Sequence, residues 1–316
     1  MMTAMAVCID RLPVLNYCLE VFSKGMGKEH MFHHIAPHRF SNAFAPALAR
    51  AQDYVLHYSA KGEILLLARE GDYALPRLCD VAPETLGQLQ YLFEMDGQGC
   101  YLSAGETALR VPGGGYYPVN LLRSNLNRDT AYAGVVGAQL SRWYGDNRFC
   151  GRCGAAMAPS QGERALICTG CGKTVYPKIS PAVITAIIDG DRILLARGAH
   201  YGAKFFSLIA GYVEIGETLE QAVARETMEE VGVRVKNIRY YANQPWPFSD
   251  SQMIGFFAQL DGDPTLHIDS AEIAEAAWFE RETLPDHPYS ISIAGEMMEA
   301  YKRGKVYYRG GDLIVD

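Results

Sequence analysis

Apolar positions along the chain fall into short runs and helical stripes. Ile64-Leu65-Leu66-Leu67-Ala68-Arg69 is a near-continuous apolar run, which predicts a buried strand. Between Pro83 and Met95 apolar residues recur at helical spacing and end at Asp96-Gly97, which predicts a helix followed by a turn. A second helical stripe runs from Ala131 to Tyr144 and leads into Phe149-Cys150. From Ser180 onward, strand-like and helix-like segments alternate, as in an α/β or α+β domain. Ile193-Leu194-Leu195-Ala196-Arg197 echoes the run at Ile64, and each follows a turn (Lys61-Gly62-Glu63; Asp189-Gly190-Asp191-Arg192). The echo fits a duplicated fold with a decayed first copy; it equally fits two buried strands that look alike. Gly113-Gly114-Gly115 is followed by no Lys-Ser/Thr pair, so it reads as a loop rather than a phosphate cradle.

Composition narrows the function classes. With 316 residues, 49% of them hydrophobic, the chain can bury more than one core. A formal net charge of −7 excludes a global basic field for nucleic acid or anionic membrane, although not a local patch. The N-terminal stretch Met1–Pro13 has no basic n-region and is broken by Asp10, Arg11 and Pro13, which argues against a secretory signal. No stretch is long and apolar enough to span a bilayer, so a soluble cytoplasmic protein with no membrane partner is expected. Of eight cysteines, Cys8, Cys18, Cys79 and Cys100 are scattered and read as small buried hydrophobes.

The other four are paired. Cys150-x2-Cys153 and Cys168-x2-Cys171 lie 14 residues apart, with glycines at 151, 154, 170 and 172 suited to the turns. Four thiolates in two knuckles complete a tetrahedral shell around one Zn²⁺ and leave no position for water, so the site reads as structural. The alternative is four reduced thiols without metal.

A second cluster is acidic. Thr218 to Val231 contains no Gly or Pro and reads as a helix, with Thr218 as N-cap and Gly232 ending it in a left-handed turn. Glu226, Glu229 and Glu230 then share one helix face, where like charges repel. Mg²⁺ or Mn²⁺ would remove that penalty while keeping positions free for phosphate oxygens. By themselves the three glutamates also fit a solvated acidic face.

The surrounding residues complete a motif. Gly211, Glu217, Arg225, Glu226, Glu229, Glu230, Gly232 and Val233 match Gly-x5-Glu-x7-Arg-Glu-U-x-Glu-Glu-x-Gly-U, where U is aliphatic. The one departure is Thr227. The segment resembles the box of the Nudix hydrolases. That resemblance implies metal ligation by Glu226, Glu229 and Glu230, a carboxylate-orienting role for Arg225, and a metal contact from the Ala210 carbonyl.

Beyond the box, Gln244-Pro245-Trp246-Pro247-Phe248-Ser249-Asp250-Ser251 reads as a rigid loop presenting aromatic rings and an amide, suited to a nucleobase or nicotinamide. A Trp that fills the core is the competing reading. The stretch resembles the Ser-Gln-Pro-Trp-Pro-Phe-Pro-x-Ser motif of the NADH pyrophosphatase branch of the family. Asn243 replaces its first Ser and Ser249 its third Pro. The resemblance further implies substrate contacts at Tyr176, Tyr212 and Ala294, and an additional metal-side acid at Glu272. Glu229, Glu230 and Glu272 each qualify as general base.

The implied organisation is α/β (α+β). It comprises a Nudix-like, non-catalytic N-terminal domain (1–125), a connecting helix (126–149), a zinc ribbon (150–176) and a catalytic Nudix α/β/α sandwich (177–316). The implied activity is metal-dependent cleavage of NADH or NAD⁺ to nicotinamide mononucleotide and AMP. The branch also removes NAD caps from RNA 5′ ends, and it is commonly homodimeric. Two rivals stand beside this: hydrolysis of ADP-ribose or diadenosine polyphosphates, and a non-catalytic nucleotide-sensing or nucleic-acid-binding module.

Overall fold

The computed structural model describes residues 31–105, 107–124, 127–199, 205–287, 291–309 and 311–315. Cys8, Cys18 and the Met1–Pro13 segment lie outside these residues. In the first unit the strands are β1 (Phe40–Ser41), β2 (Tyr54–Leu56), β3 (Glu63–Arg69), β4 (Asp72–Ala74), β5 (Gln88–Met95), β6 (Gln98–Ala104) and β7 (Gly114–Pro118). The expected strand at Ile64 is β3, whose Ile64, Leu65 and Leu66 are all but fully buried.

Three expectations for this unit are corrected. The segment ending at Met95 is not a helix: only Pro83–Thr85 makes a short 3₁₀ turn, and Gln88–Met95 is a strand. Asp96 (φ 52°) and Gly97 (φ 75°) do form the expected turn, but it is a two-residue hairpin loop joining β5 to β6. Pairing with β6 overrides the helical spacing. Gly114 and Gly115 are not a loop; they open β7 and pair with Leu67 and Leu66. Cys79 is exposed in the Leu78–Asp80 turn, whereas Cys100 is buried, and burial pushes its thiol pKa up.

The stripe at Ala131 is helix α1 (Arg128–Asp146), whose buried side includes Ala131, Ala133, Val135, Leu140 and Trp143. These side chains join Phe32, Leu56, Ile64, Leu92 and Phe93 in the first core. Strands β8 (Met157–Pro159), β9 (Leu166–Cys168) and β10 (Thr174–Val175) form a three-stranded antiparallel ribbon.

The C-terminal sheet is built from β11 (Ser180–Asp189), β12 (Arg192–Gly198), β13 (Ile209–Tyr212), β14 (Val235–Trp246), β15 (Ser251–Leu260) and β16 (Ile273–Glu280). Its order is β14-β15-β11-β12-β16, with β13 paired to β11. Helix α2 (Leu219–Val231) follows β13, and α3 (Ile293–Lys302) covers a second core containing Ile184, Ile193, Phe257, Met297 and Tyr301. A last hairpin joins β17 (Val306–Arg309) to β18 (Asp312–Val315).

The two units share a strand scheme. β2 runs parallel to β6 as β11 runs parallel to β15, and the hairpin β5-β6 corresponds to β14-β15. β3 pairs antiparallel with β7 as β12 does with β16. Arg77 bridges Tyr54 where β13 pairs β11. After that point the schemes diverge: the C-terminal unit enters α2, while the first unit makes only the 3₁₀ turns Leu78–Asp80 and Pro83–Thr85.

Candidate active site

Local sequence fixes the acidic helix in place. Thr218 caps it as expected: its hydroxyl accepts from Gln221 N (3.2 Å), and the Gln221 side chain accepts from Thr218 N (2.8 Å). Gly232 ends it at φ 72°, in the left-handed region. Thr227, the one departure from the box, is fully buried and donates its hydroxyl to Ala224 O (3.1 Å), so no polar group is stranded.

Glu226 and Glu230 turn inward and are buried, while Glu229 stays exposed. Arg225 gathers the carboxylates. Its Nε and Nη2 donate to the two oxygens of Glu217 (2.8 and 2.9 Å), and its Nη1 donates to Glu226 (2.7 Å) and Glu229 (3.2 Å). Nη2 also reaches Tyr212 O (2.9 Å), which ties α2 to the end of β13. Glu217 was not among the expected site residues. Its box position carried the signal, because the Arg225 fork holds it bidentately and keeps its carboxyl below the usual range.

Gly211 makes room for this arrangement, since a Cβ there would lie 1.9 Å from Glu226 Cδ. Ala210 precedes it on β13, opposite Ile184. Glu272 is exposed just before β16, and its backbone carbonyl accepts from Ala199 N (2.7 Å). Burial raises the Glu226 pKa, against the pull of Arg225. Glu230 is pushed up to about 8 by burial and by the charges of Glu226, Glu272 and Glu229. Among the described residues no cation pairs with Glu230. A buried carboxylate held among like charges, with oxygen donors only, fits a hard divalent cation.

The four cysteines also fit a metal. Their Sγ atoms lie within 4.8 Å of one another, with Cys150–Cys171 at 3.7 Å and Cys153–Cys168 at 3.4 Å. A tetrahedral Zn²⁺ with bonds of about 2.3 Å sets sulfur–sulfur edges of about 3.8 Å. The N–H groups of Cys171 and Gly170 pull the Cys168 thiol down to about 6, favouring the thiolate a metal needs.

The expected substrate loop is the end of β14 and a hairpin turn. Gln244, Pro245 and Trp246 belong to β14, where they pair with Met253, Gln252 and Ser251; β14 is an edge strand, where Pro is tolerated. Gln244 is fully buried: its amide donates to Ile291 O (2.9 Å) and its carbonyl accepts from Ile293 N (2.7 Å), so it holds the start of α3. Trp246 and Phe248 are half-buried against the first core, packed on each other at a tilt (centroids 4.9 Å apart) and near Phe32, with the Arg123 guanidinium over both rings. Pro247 is buried, and its carbonyl accepts from Arg142 of α1 (2.7 Å), which also pairs with Asp250 at φ 56°. Sequence reasoning missed Arg142, because nothing local marks a partner 108 residues away.

Ser251 is buried and joins Ser249 (3.0 Å) and the exposed Tyr212 hydroxyl (3.4 Å), linking this turn to the glutamate network. Tyr176 is exposed and donates to Glu163 of the ribbon (3.2 Å). Ala294 is buried in the second core, packed rather than facing a cleft.

Comparison with known proteins finds likeness in the C-terminal part of the chain. Residues 178–301 match the NUDIX domain, and residues 146–176 match the NADH pyrophosphatase zinc ribbon domain. The chain is 45% identical over 163 residues to the NAD-capped RNA hydrolase NudC of Citrobacter koseri and, equally, to that of Salmonella typhi. The matched stretch spans 52% of this chain and 63% of those relatives. A NUDIX hydrolase from Nitrosomonas europaea superposes with a TM-score of 0.45 at 26% identity, covering 54% of this chain and 96% of that one. No helix among the described residues is long and apolar enough to cross a membrane.

Proposed function

We propose that the chain is a Nudix hydrolase, a divalent-metal pyrophosphohydrolase that cleaves NADH or NAD⁺ to nicotinamide mononucleotide and AMP; the NUDIX match at 178–301 and the NADH pyrophosphatase zinc ribbon match at 146–176 support this. NAD-capped RNA is a second substrate of the same site. The observation that carries the reading is the Arg225 network, which draws Glu217, Glu226 and Glu229 together beside the buried Glu230 and the cradle at Gly211.

In this proposal Glu226, Glu229, Glu230 and Glu272, with the Ala210 carbonyl, hold Mg²⁺ or Mn²⁺. Bound there, such ions supply charge neutralisation on the diphosphate and acidify a water. Arg225 fixes the rotamers of Glu226 and Glu229, so that they need not reorganise when substrate arrives. Water adds to one phosphorus, the bridging P–O bond breaks, and the water's proton passes to a carboxylate of the Glu229, Glu230 and Glu272 set. Tyr176 and Tyr212 offer exposed rings on the substrate side, with Ser249 and Ser251 beside Tyr212. Pro245, Trp246, Pro247, Phe248 and Asp250 shape the turn, and Gln244 and Ala294 act from behind it. Cys150, Cys153, Cys168 and Cys171 hold one structural Zn²⁺.

The proposal extends to domains at 1–125, 126–149, 150–176 and 177–316, with the first a non-catalytic Nudix-like copy. Its strand scheme supports that division, as does the passage from Arg77 into 3₁₀ turns, with no acidic helix among its described residues. A cytoplasmic homodimer is the assembly proposed.

A second reading, hydrolysis of ADP-ribose, is favoured by one observation: both polar ends of the Gln244 amide are engaged by backbone and so are not free for a nicotinamide. Product analysis with NADH, NAD⁺, ADP-ribose and NAD-capped RNA decides, with Mg²⁺ or Mn²⁺ omitted and restored. Omission is preferable to a strong chelator, which would also extract the zinc. Metal-dependent release of nicotinamide mononucleotide from NADH, lost in Glu230→Gln, is the expected result. Cleavage of ADP-ribose alone would leave only the second reading, and no turnover of any substrate would leave a nucleotide-sensing module.

A further inference from the structure

The zinc ribbon has two unlike faces. Register aligns Ala158, Ile167 and Thr174 across β8, β9 and β10. Phe149 bridges Ala156, which lies two residues before Ala158 and so on the same side. The opposite side carries Met157 and Leu166, which pack into the first core. Arg164 pins that inner side by donating to Leu92 O and to Asn42 O (3.2 Å) and Oδ1 (3.1 Å). The sheet is therefore docked through one face and open to solvent through the other.

That open face is not what solubility alone would produce. Phe149 is 65% exposed and Ile167 39% exposed. Arg148 and Arg152 flank Phe149, both exposed, and neither makes an ion pair among the described residues. Arg148 and Arg152 are the exposed cations close to Phe149 in sequence, since Arg164 is engaged on the docked side. The strip continues toward the substrate side, since exposed Tyr176 lies two residues beyond Thr174. An exposed aromatic ring with exposed arginines one residue before it and three after it matches the chemistry of single-stranded nucleic acid: bases stack on the ring and phosphates pair with the cations.

We propose that the outward face of the zinc ribbon, centred on Phe149 with Arg148 and Arg152, docks the single-stranded RNA chain that follows an NAD cap. The proposal rests on the reading of the catalytic site as one that accepts NAD-capped RNA. On this account free dinucleotide and capped RNA share the glutamate site, and only the RNA engages the ribbon.

The test compares Phe149→Ala and the double variant Arg148→Gln/Arg152→Gln with the unaltered chain. Three quantities are read: kcat/KM on NAD⁺, kcat/KM on an NAD-capped RNA of about ten nucleotides, and anisotropy of the same RNA without its cap. Zinc stoichiometry is measured in parallel, because Phe149 adjoins the ligand Cys150. The expected result is unchanged NAD⁺ turnover and zinc content, with capped-RNA kcat/KM and RNA affinity each lower by about tenfold in Phe149→Ala. In the arginine variant the dependence of log affinity on log salt should flatten by about 0.7 for each phosphate that no longer has a cation beside it. Unchanged RNA binding and capped-RNA turnover in both variants overturns the proposal. So does a Phe149→Ala change that dissociates a dimer while leaving RNA affinity intact, which would make this face a contact between copies. A chain that turns over no dinucleotide fails the catalytic reading separately, and the anisotropy measurement still decides whether the ribbon binds RNA.

Discussion

Glu230 gives the most direct test of how the acidic helix is stabilised. Its carboxyl is pushed up to about 8 from an ordinary value of 4.5, first by burial and then by Glu226, Glu272 and Glu229. A raised carboxyl pKa means that the folded state keeps its proton when the unfolded state has already lost it. Stability without Mg²⁺ or Mn²⁺ therefore falls as pH rises from about 4.5 to about 8. A tenfold change in proton affinity corresponds to about 1.4 kcal/mol, so the cost of Glu230 grows from about 1 kcal/mol at pH 5 to at most about 4 kcal/mol at pH 8. Glu230→Gln removes the ionisation at nearly constant volume. In buffer lacking divalent cations, the variant should melt several degrees above the parent at pH 8 and close to it at pH 5. With saturating Mn²⁺ the order should reverse, because only the parent gains a bound cation, and turnover should be lost in the variant. Melting curves at the two pH values, with and without Mn²⁺, check all of this. A variant that melts below the parent at pH 8 without metal would refute the reasoning, since Glu230 would then be stabilising as an anion.

Two other perturbations address the supporting structure. Gly211→Ala places a Cβ 1.9 Å from Glu226 Cδ and 2.1 Å from both its oxygens. Moving that flexible carboxylate should cost only about 1–3 kcal/mol of stability but at least about 100-fold in turnover; retained activity with unchanged Mn²⁺ dependence would mean that Glu226 is not needed in that seat. Arg142→Ala strips the partner from Pro247 O and Asp250. With charged hydrogen bonds worth about 1.5–3 kcal/mol, KM for the dinucleotide should rise at least about tenfold with a smaller change in kcat, while Arg142→Lys recovers part of the loss. Equal KM values would show that the turn keeps its shape without α1.

What is legible in the sequence is local. The β3 strand, the Thr218 cap, the Gly232 terminus and the cysteine knuckles each depend on residues within a few positions of one another. What is not legible depends on distant partners. Gln88–Met95 carries apolar residues compatible with either period, and pairing with β6 decides between them. Gly114 and Gly115 look like loop residues until β3 supplies their ladder. The amide of Gln244 looks available to a substrate, yet its partners at 291 and 293 occupy both ends. Cys79 looks like a core residue by its type, yet it sits exposed in the Leu78–Asp80 turn.

The shared strand scheme of the two units isolates what the chemistry requires. Both sheets offer a parallel pair, a hairpin edge and a covering helix, so these parts alone do not make the site. The difference lies after β13, where Leu219–Val231 brings Arg225 and three glutamates against Gly211. At the corresponding point of the first unit, Arg77 leads into Leu78–Asp80 and then Pro83, and β5 begins at Gln88, too soon for a helix of that length. Among its described residues the first unit therefore sets no face of helical glutamates beside Arg77 as α2 does beside β13. Its tie to the site runs instead through α1, whose Arg142 grips the turn at Pro247 and Asp250, and through the Phe32 and Arg123 contacts that back Trp246 and Phe248. On the proposed function the first unit is expected to act on substrate geometry rather than on phosphorus, so that its substitutions should appear in KM before they appear in kcat.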